Sequence, residues 1–224
     1  MDNTLREGLD RLAAGNSHSR QVLEDHFDEK ADLLNRYIEE IELFNPAYGL
    51  VGTEDRRELI VKHILDSLAP LGVISRLVEN AEHPRLADAG SGAGLPGIPL
   101  AICLGRPFTL IERMGRRAGF LRSTLAVLGL NFVDVEEKDM EKAAPGRYNL
   151  VTFRAFKPLD GPLLKGLFRL LVPGGVLAAY KGRREKINEE MEAVKSFTGG
   201  WECFGTPVPF LDEERHLVVI RPGN

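Results

Sequence analysis

A short apolar run, Arg85-Leu86-Ala87-Asp88-Ala89, empties directly into Gly90-Ser91-Gly92-Ala93-Gly94-Leu95-Pro96-Gly97, and this junction limits the fold more than any other stretch. A strand ending in closely spaced glycines places its loop at the carboxyl edge of a sheet, where open α/β sheets bind ligands. Glycine there tolerates positive φ and lets the backbone approach a ligand closely. The pattern downstream agrees. Ile98 to Leu104 reads as a helix, Phe108 to Ile111 as a second strand, and Gly115 to Leu128 as a helix. Phe132 to Val135 and Tyr148 to Phe153 read as the third and fourth strands. A helix from Pro162 to Leu171 leads to a fifth strand, Gly175 to Tyr180. Strands alternating with helices predict a mostly parallel sheet covered on both faces. After one more helix, two extended stretches near Cys203 and at His216 to Ile220 have no helix between them, which predicts an antiparallel C-terminal edge.

The chain before this junction reads as helical. From Ser19 to Phe44, apolar residues recur at Leu23, Phe27, Leu34, Ile38, Ile41 and Phe44, the stripe of one amphipathic helix. Asn45-Pro46 is expected to end it, because proline disfavours the helical region for its predecessor. Glu54 to Ala69 repeats the pattern through Leu59, Ile60, His63, Ile64 and Leu68. We therefore expect a helical extension over residues 1–84, packed on a ligand-binding domain over residues 85–224. The 224 residues suffice for one α/β domain with such an extension.

Composition narrows the setting. No apolar run approaches the roughly 20 residues needed to span a bilayer, and the N-terminus lacks the apolar core of a signal peptide. Cys103 and Cys203 make neither a disulfide framework nor a metal cluster, so no metal is expected and a cytoplasmic location is. The formal net charge is −4. Contact with nucleic acid would have to come from a local basic patch.

The glycine spacing leaves the ligand ambiguous, because Gly92, Gly94 and Gly97 also satisfy the G-x-G-x-x-G of dinucleotide binders. Pro96 and Pro99 argue against a pyrophosphate, which needs free N–H groups at the start of the following helix. Leu171-Val172-Pro173-Gly174-Gly175 resembles the turn before the fifth strand of class I methyltransferases. Their cofactor, S-adenosyl-L-methionine, carries no phosphate. Glu112 ends the second strand, where a carboxylate can accept from both ribose hydroxyls. A strand-end Glu is commonly only solvated, but this position beside the glycine loop favours the ligand role.

Further segments carry a family resemblance: His63-Ile64-Leu65-Asp66-Ser67, Gly92-Ala93-Gly94-Leu95-Pro96-Gly97-Ile98-Pro99, Phe120-Leu121, Arg154-Ala155-Phe156, Tyr180-Lys181-Gly182 and Glu214-Arg215-His216-Leu217-Val218-Val219-Ile220. The chain resembles the ribosomal RNA small subunit methyltransferase G family, also called glucose-inhibited division protein B. The resemblance implies a class I (Rossmann-like) fold and transfer of a methyl group from S-adenosyl-L-methionine to N7 of one guanine in 16S ribosomal RNA, free or in a small-subunit assembly particle. It also implies cofactor contacts at Gly90, Leu95, Met140, Glu141 and Arg154. Phe44-Asn45 and Gly49-Leu50-Val51 depart from the family's usual Trp-Asn and Asn-Leu-Thr or Asn-Leu-Ser.

Arg113, Arg116, Arg117 and Arg122 gather in and just before one helix, and Lys181, Arg183, Arg184 and Lys186 follow the fifth strand. Such groups are often solvated helix faces. Their place at the carboxyl edge favours RNA contact by Arg116, Lys181 and Arg183. His63, on an apolar helix face, reads more readily as a packed core histidine than as a catalyst, and no catalytic residue is assigned. Two rival activities fit the same residues: a class I methyltransferase acting on a small molecule or protein, and a cofactor-binding module that regulates a partner without catalysis.

Overall fold

A computed structural model of the chain describes residues 2–154 and 158–223. The N-terminal part holds α1 (Asn3–Gly15), α2 (Ser17–Glu24), α3 (Phe27–Tyr48), α4 (Arg56–Leu59), a π-helical turn (Ile60–Leu65), α5 (Asp66–Leu68) and α6 (Leu71–Val78). Two local readings are corrected. The helix expected over Ser19 to Phe44 is two, because His26 adopts a left-handed conformation with φ 55° and breaks the chain between α2 and α3. Pro46 does not end α3, which runs on to Tyr48 and is capped by Gly49 at φ 59°. A proline this near the end forfeits one intrahelical bond. Asn45 fastens the exit instead, accepting from the Val51 amide at 2.9 Å and donating to the Thr53 carbonyl at 2.9 Å.

The remainder alternates as β1 (Leu86–Ala89), α7 (Gly97–Leu104), β2 (Phe108–Glu112), α8 (Gly115–Leu128), β3 (Val133–Glu137), a 3₁₀ turn (Met140–Lys142), β4 (Tyr148–Arg154), α9 (Gly161–Phe168), β5 (Leu171–Lys181), α10 (Arg184–Ala193), a second 3₁₀ turn (Lys195–Phe197), β6 (Thr198–Gly205) and β7 (His216–Pro222). One seven-stranded sheet runs in the order β3-β2-β1-β4-β5-β7-β6. The first five strands pair in parallel, and β7 is antiparallel to both β5 and β6. The class I α/β architecture and its antiparallel edge are as the strand pattern predicts. Strand order reverses between β1 and β4, and in such sheets the crevice at that point takes the ligand.

Alternating residues divide the core between the two faces, as the two-residue period of a strand requires. Leu86, Leu110, Leu150 and Val219 join one cluster with Leu34, Tyr37, Ile64 and Leu68 of the N-terminal helices. Ala87, Ile111, Val151 and Ile220 join the other with Leu164 and Leu167 of α9 and Ile187 and Met191 of α10. The N-terminal helices thus pack on one face of the sheet. Among the described residues no helix is long and apolar enough to cross a membrane.

Candidate active site

The loop after β1 is built by its glycines. Gly90, Gly92 and Gly94 take φ values of 72°, 58° and 94°, a region that costs other residues about 1–2 kcal/mol. A Cβ on Gly94 would lie 2.6 Å from Ile98 Cδ1, and one on Gly97 would lie 2.4 Å from Leu110 Cδ2. The Gly90 and Ser91 amides both donate to the Ile111 carbonyl, at 2.8 and 3.1 Å, which ties the loop to the end of β2. Asp88 anchors it from beneath. Its Oδ2 accepts from the Gly97 amide at 3.1 Å and its Oδ1 from the Thr152 hydroxyl at 3.0 Å. Burial pushes the Asp88 carboxyl up to about 6, against the pull of these hydrogen bonds. From the N-terminal side, Tyr37 donates its hydroxyl to the Ala93 carbonyl at 2.8 Å.

Five of the eight residues expected around the cofactor, Gly90, Glu112, Met140, Glu141 and Arg154, line one cleft of about 630 Å³. Gly92, Gly94 and Leu95 are not among its lining; they shape the loop, and Leu95 is buried. Glu112 is 4% exposed, and its two oxygens accept from the Gly92 amide at 2.9 Å and the Met114 amide at 2.8 Å. Each carboxylate oxygen retains a further lone pair for a ligand. The turn carrying Met140 and Glu141 starts at Asp139, whose Oδ1 accepts from the Glu141 amide at 3.1 Å. Arg169 ties the turn down through the Met140 and Glu141 carbonyls, at 3.1 and 2.7 Å.

Arg154 ends β4 and reaches the N-terminal helices. Its Nη1 donates to Asp66 Oδ2 at 3.1 Å, to the Ser67 hydroxyl at 3.4 Å and to the His63 carbonyl at 3.5 Å. His63 sits in the π turn and Asp66 and Ser67 follow it in α5; such turns recur at functional sites. Arg215 donates to the other Asp66 oxygen at 3.0 Å. Burial pushes the Asp66 carboxyl up while the two guanidinia draw it down. Burial, aided by the Arg154 charge, pushes His63 down to about 4. Ala155 and Phe156 of the Arg154 motif lie outside the described residues.

A family model described as rRNA small subunit methyltransferase G (GidB) matches residues 30–218. Ribosomal RNA small subunit methyltransferase G of Treponema denticola is 39% identical, with 89% of each chain covered. The protein of that name from Treponema pallidum strain Nichols is 42% identical over 84% of this chain and 83% of its own. The chain belongs to the rRNA small subunit methyltransferase G family. Among solved structures, a predicted O-methyltransferase from Agrobacterium tumefaciens superposes with a TM-score of 0.55 at 25% identity, covering 72% of this chain and 81% of its own. The tRNA (m1A58) methyltransferase TrmI of Aquifex aeolicus shares the fold at a TM-score of 0.54 and 14% identity, with 69% of each chain covered.

The family match starts inside α3, so Tyr37 lies within it while α1 and α2 precede it. Of the basic residues expected at the edge of the site, Arg116 is exposed and stacks over the Tyr48 ring, 4.8 Å from its centroid. Lys181 is half-buried and pairs with Glu190 at 2.6 Å, whereas Arg183 is exposed at the start of α10. The loop anchors Asp88 and Tyr37, and Arg215 on Asp66, were not named among the site residues on sequence grounds. Asp88 and Arg215 sit inside quoted motifs that mark them. Tyr37 carries no local signal at all.

Proposed function

We propose that this family member transfers the methyl group of S-adenosyl-L-methionine to N7 of a guanine in 16S ribosomal RNA. The observation that carries the reading is the cleft at the strand-order reversal, walled by the Gly90 loop, Glu112, the Met140-Glu141 turn and Arg154. Its volume falls within the roughly 300–1,000 Å³ of small-molecule sites. A buried acceptor on its floor, set against a loop where glycine backbone is exposed, suits a nucleoside whose ribose offers two hydroxyl donors. Gly90 and Leu95 place the loop against the cofactor, with Gly92 and Gly94 supplying its curvature. Glu112 accepts the ribose hydroxyls, Met140 and Glu141 lie beside the nucleoside, and Arg154 closes the other end.

When bound, the cofactor supplies an electrophilic methyl group on a sulfonium. Guanine N7 carries a free lone pair, so no proton must leave before attack and no general base is needed. The protein's work is to hold the base and the methyl group in line, an orientation worth roughly 7–11 kcal/mol. His63, pushed down to about 4, is neutral at physiological pH and fits a positioning part. Arg116, Lys181 and Arg183 contact the RNA, whether free 16S RNA or a small-subunit assembly particle in the cytoplasm. The helical segment 1–84 acts as an extension that braces the domain of residues 85–224. The deciding experiment is transfer of a labelled methyl group to unmodified 16S RNA, followed by nucleoside analysis. Label in 7-methylguanosine supports the reading; label only in small metabolites or protein, or cofactor binding without turnover, overturns it.

A further inference from the structure

Arg154 lines the cofactor cleft and also a second pocket of about 310 Å³ beside it. The π turn, the end of β5 and the start of β7 wall this second pocket, and four of its ten lining residues are cationic, Lys62, Arg154, Lys181 and Arg215, with the imidazoles of His63 and His216 beside them. Among the described residues Asp66 is its one lining carboxylate, and two guanidinia converge on it, Arg154 at 3.1 Å and Arg215 at 3.0 Å. Two cations on one anion leave a positive surplus inside the pocket. Lys62 and Lys181 also line the pocket, each ion-paired with a carboxylate outside its lining, Glu58 at 2.8 Å and Glu190 at 2.6 Å, which a phosphate would compete with for the ammonium. All three hydrogen bonds of the Arg154 side chain leave from Nη1, so Nε and Nη2 have no partner among the described residues.

The walls are already held in place. Tyr180 donates its hydroxyl to the Ser67 carbonyl at 2.8 Å, joining β5 to the N-terminal helices. His216 Nδ1 lies 2.6 Å from the Gly182 carbonyl, joining β7 to the end of β5. A preformed, half-buried pocket with surplus positive charge favours an anion, and guanidinium forks match phosphate oxygens. A guanidinium at the border with the cofactor cleft also offers a plane on which a base can stack.

We propose that this pocket holds one nucleotide unit of the RNA strand, its phosphate drawn to Lys62, Lys181 and Arg215 and its base against Arg154. The inference rests on the RNA reading above and adds to it the seat of the target nucleotide. Guanosine monophosphate serves as the probe, measured by calorimetry on the full chain saturated with S-adenosylhomocysteine. Guanosine monophosphate should bind alongside S-adenosylhomocysteine and be displaced by 16S RNA, with guanosine at least tenfold weaker. Lys62→Ala with Arg215→Ala should lower its affinity at least tenfold and raise the KM for RNA. Unchanged S-adenosylhomocysteine affinity, within twofold, checks the fold, and Arg215→Lys should recover part of the loss. Competition between guanosine monophosphate and S-adenosylhomocysteine would overturn the assignment, as would parental affinity in the double variant. Failure of RNA to displace the probe would make this a free-nucleotide site and overturn it equally. If the parent methylates RNA while the double variant keeps both parental values, only the pocket falls. If the parent methylates no RNA, the proposed function falls whatever the probe does.

Discussion

Tyr37, on the long N-terminal helix α3, donates its hydroxyl to the carbonyl of Ala93 in the glycine loop across 2.8 Å, and the tyrosine is wholly buried. The helices on one face of the sheet thereby hold the ligand loop in shape. Tyr37→Phe removes the donor and leaves a buried carbonyl unpaired, at a cost of about 1–3 kcal/mol. We expect a lower melting temperature together with weaker S-adenosylmethionine binding, because loop shape and stability share this bond. Calorimetry showing parental affinity in a destabilised variant would confine the bond to stability.

Glu112 and Gly94 separate binding from folding. Glu112→Ala should weaken cofactor binding by about 1.5–3 kcal/mol, the usual loss for hydrogen bonds to a charged group. The upper end is expected, since the Gly92 and Met114 amides lose their acceptor as well. Gly94→Ala combines φ 94° with a Cβ only 2.6 Å from Ile98 Cδ1, while Gly92→Ala meets nothing nearer than 4.0 Å. Urea unfolding should therefore show Gly94→Ala clearly less stable than Gly92→Ala. Equal midpoints for the two would refute the packing argument.

Asp88, which is buried, and His63, which is half-buried, give stability opposite pH slopes. Asp88 rises from an ordinary 3.8 to about 6, so its contribution is complete below 3.8 and disappears as pH climbs through 6. For so buried a group the change is about 3 kcal/mol. His63 falls from 6.5 to about 4, so its contribution is complete above 6.5 and lost as pH drops through 4. In His63→Gln only the histidine slope disappears. Urea midpoints measured from pH 4 to 7 should show the parent losing ground to this variant as pH falls. Parallel curves would mean His63 titrates normally.

A reaction at N7 predicts a kinetic signature. The single-turnover rate at saturating RNA and cofactor should be flat between about pH 7 and 8.5, because no obligatory base titrates there. Asp88 near 6 sets the acid edge through the loop it anchors, and His63 near 4 adds no step in that window. His63→Ala and Asp66→Asn should slow the reaction without adding or removing a titration. RNA carrying 7-deazaguanine at the target should bind normally and accept no methyl group. Methylation of that RNA would place the reaction on another atom.

The RNA edge predicts a salt effect. Arg116→Ala with Lys181→Ala should keep cofactor affinity and lose RNA affinity, with a shallower dependence on salt. The Lys181–Glu190 pair adds a check, since Glu190→Gln frees the ammonium and should strengthen RNA binding. Parental affinity and salt slope in the double variant would reduce the edge to a solvated face.

Local chemistry was enough to read the α/β alternation, the glycine loop at the end of β1 and the place of Glu112 at the end of β2. Each depends on neighbours a few residues apart: a strand's two-residue period, the positive φ only glycine takes easily, and a carboxylate at a strand terminus. Tertiary packing decided the rest. The break at His26, the run of α3 through Pro46 and the π turn at Ile60–Leu65 came from packing and capping that the apolar stripe does not encode. The insertion of β7 between β5 and β6 depends on pairing, which leaves no mark on either strand's pattern. The bonds that build the site span 56 residues from Tyr37 to Ala93, 88 from Asp66 to Arg154 and 149 from Asp66 to Arg215. No periodicity relates residues so far apart. Only burial of both faces of one sheet brings them together, so the loop was legible and its supports were not.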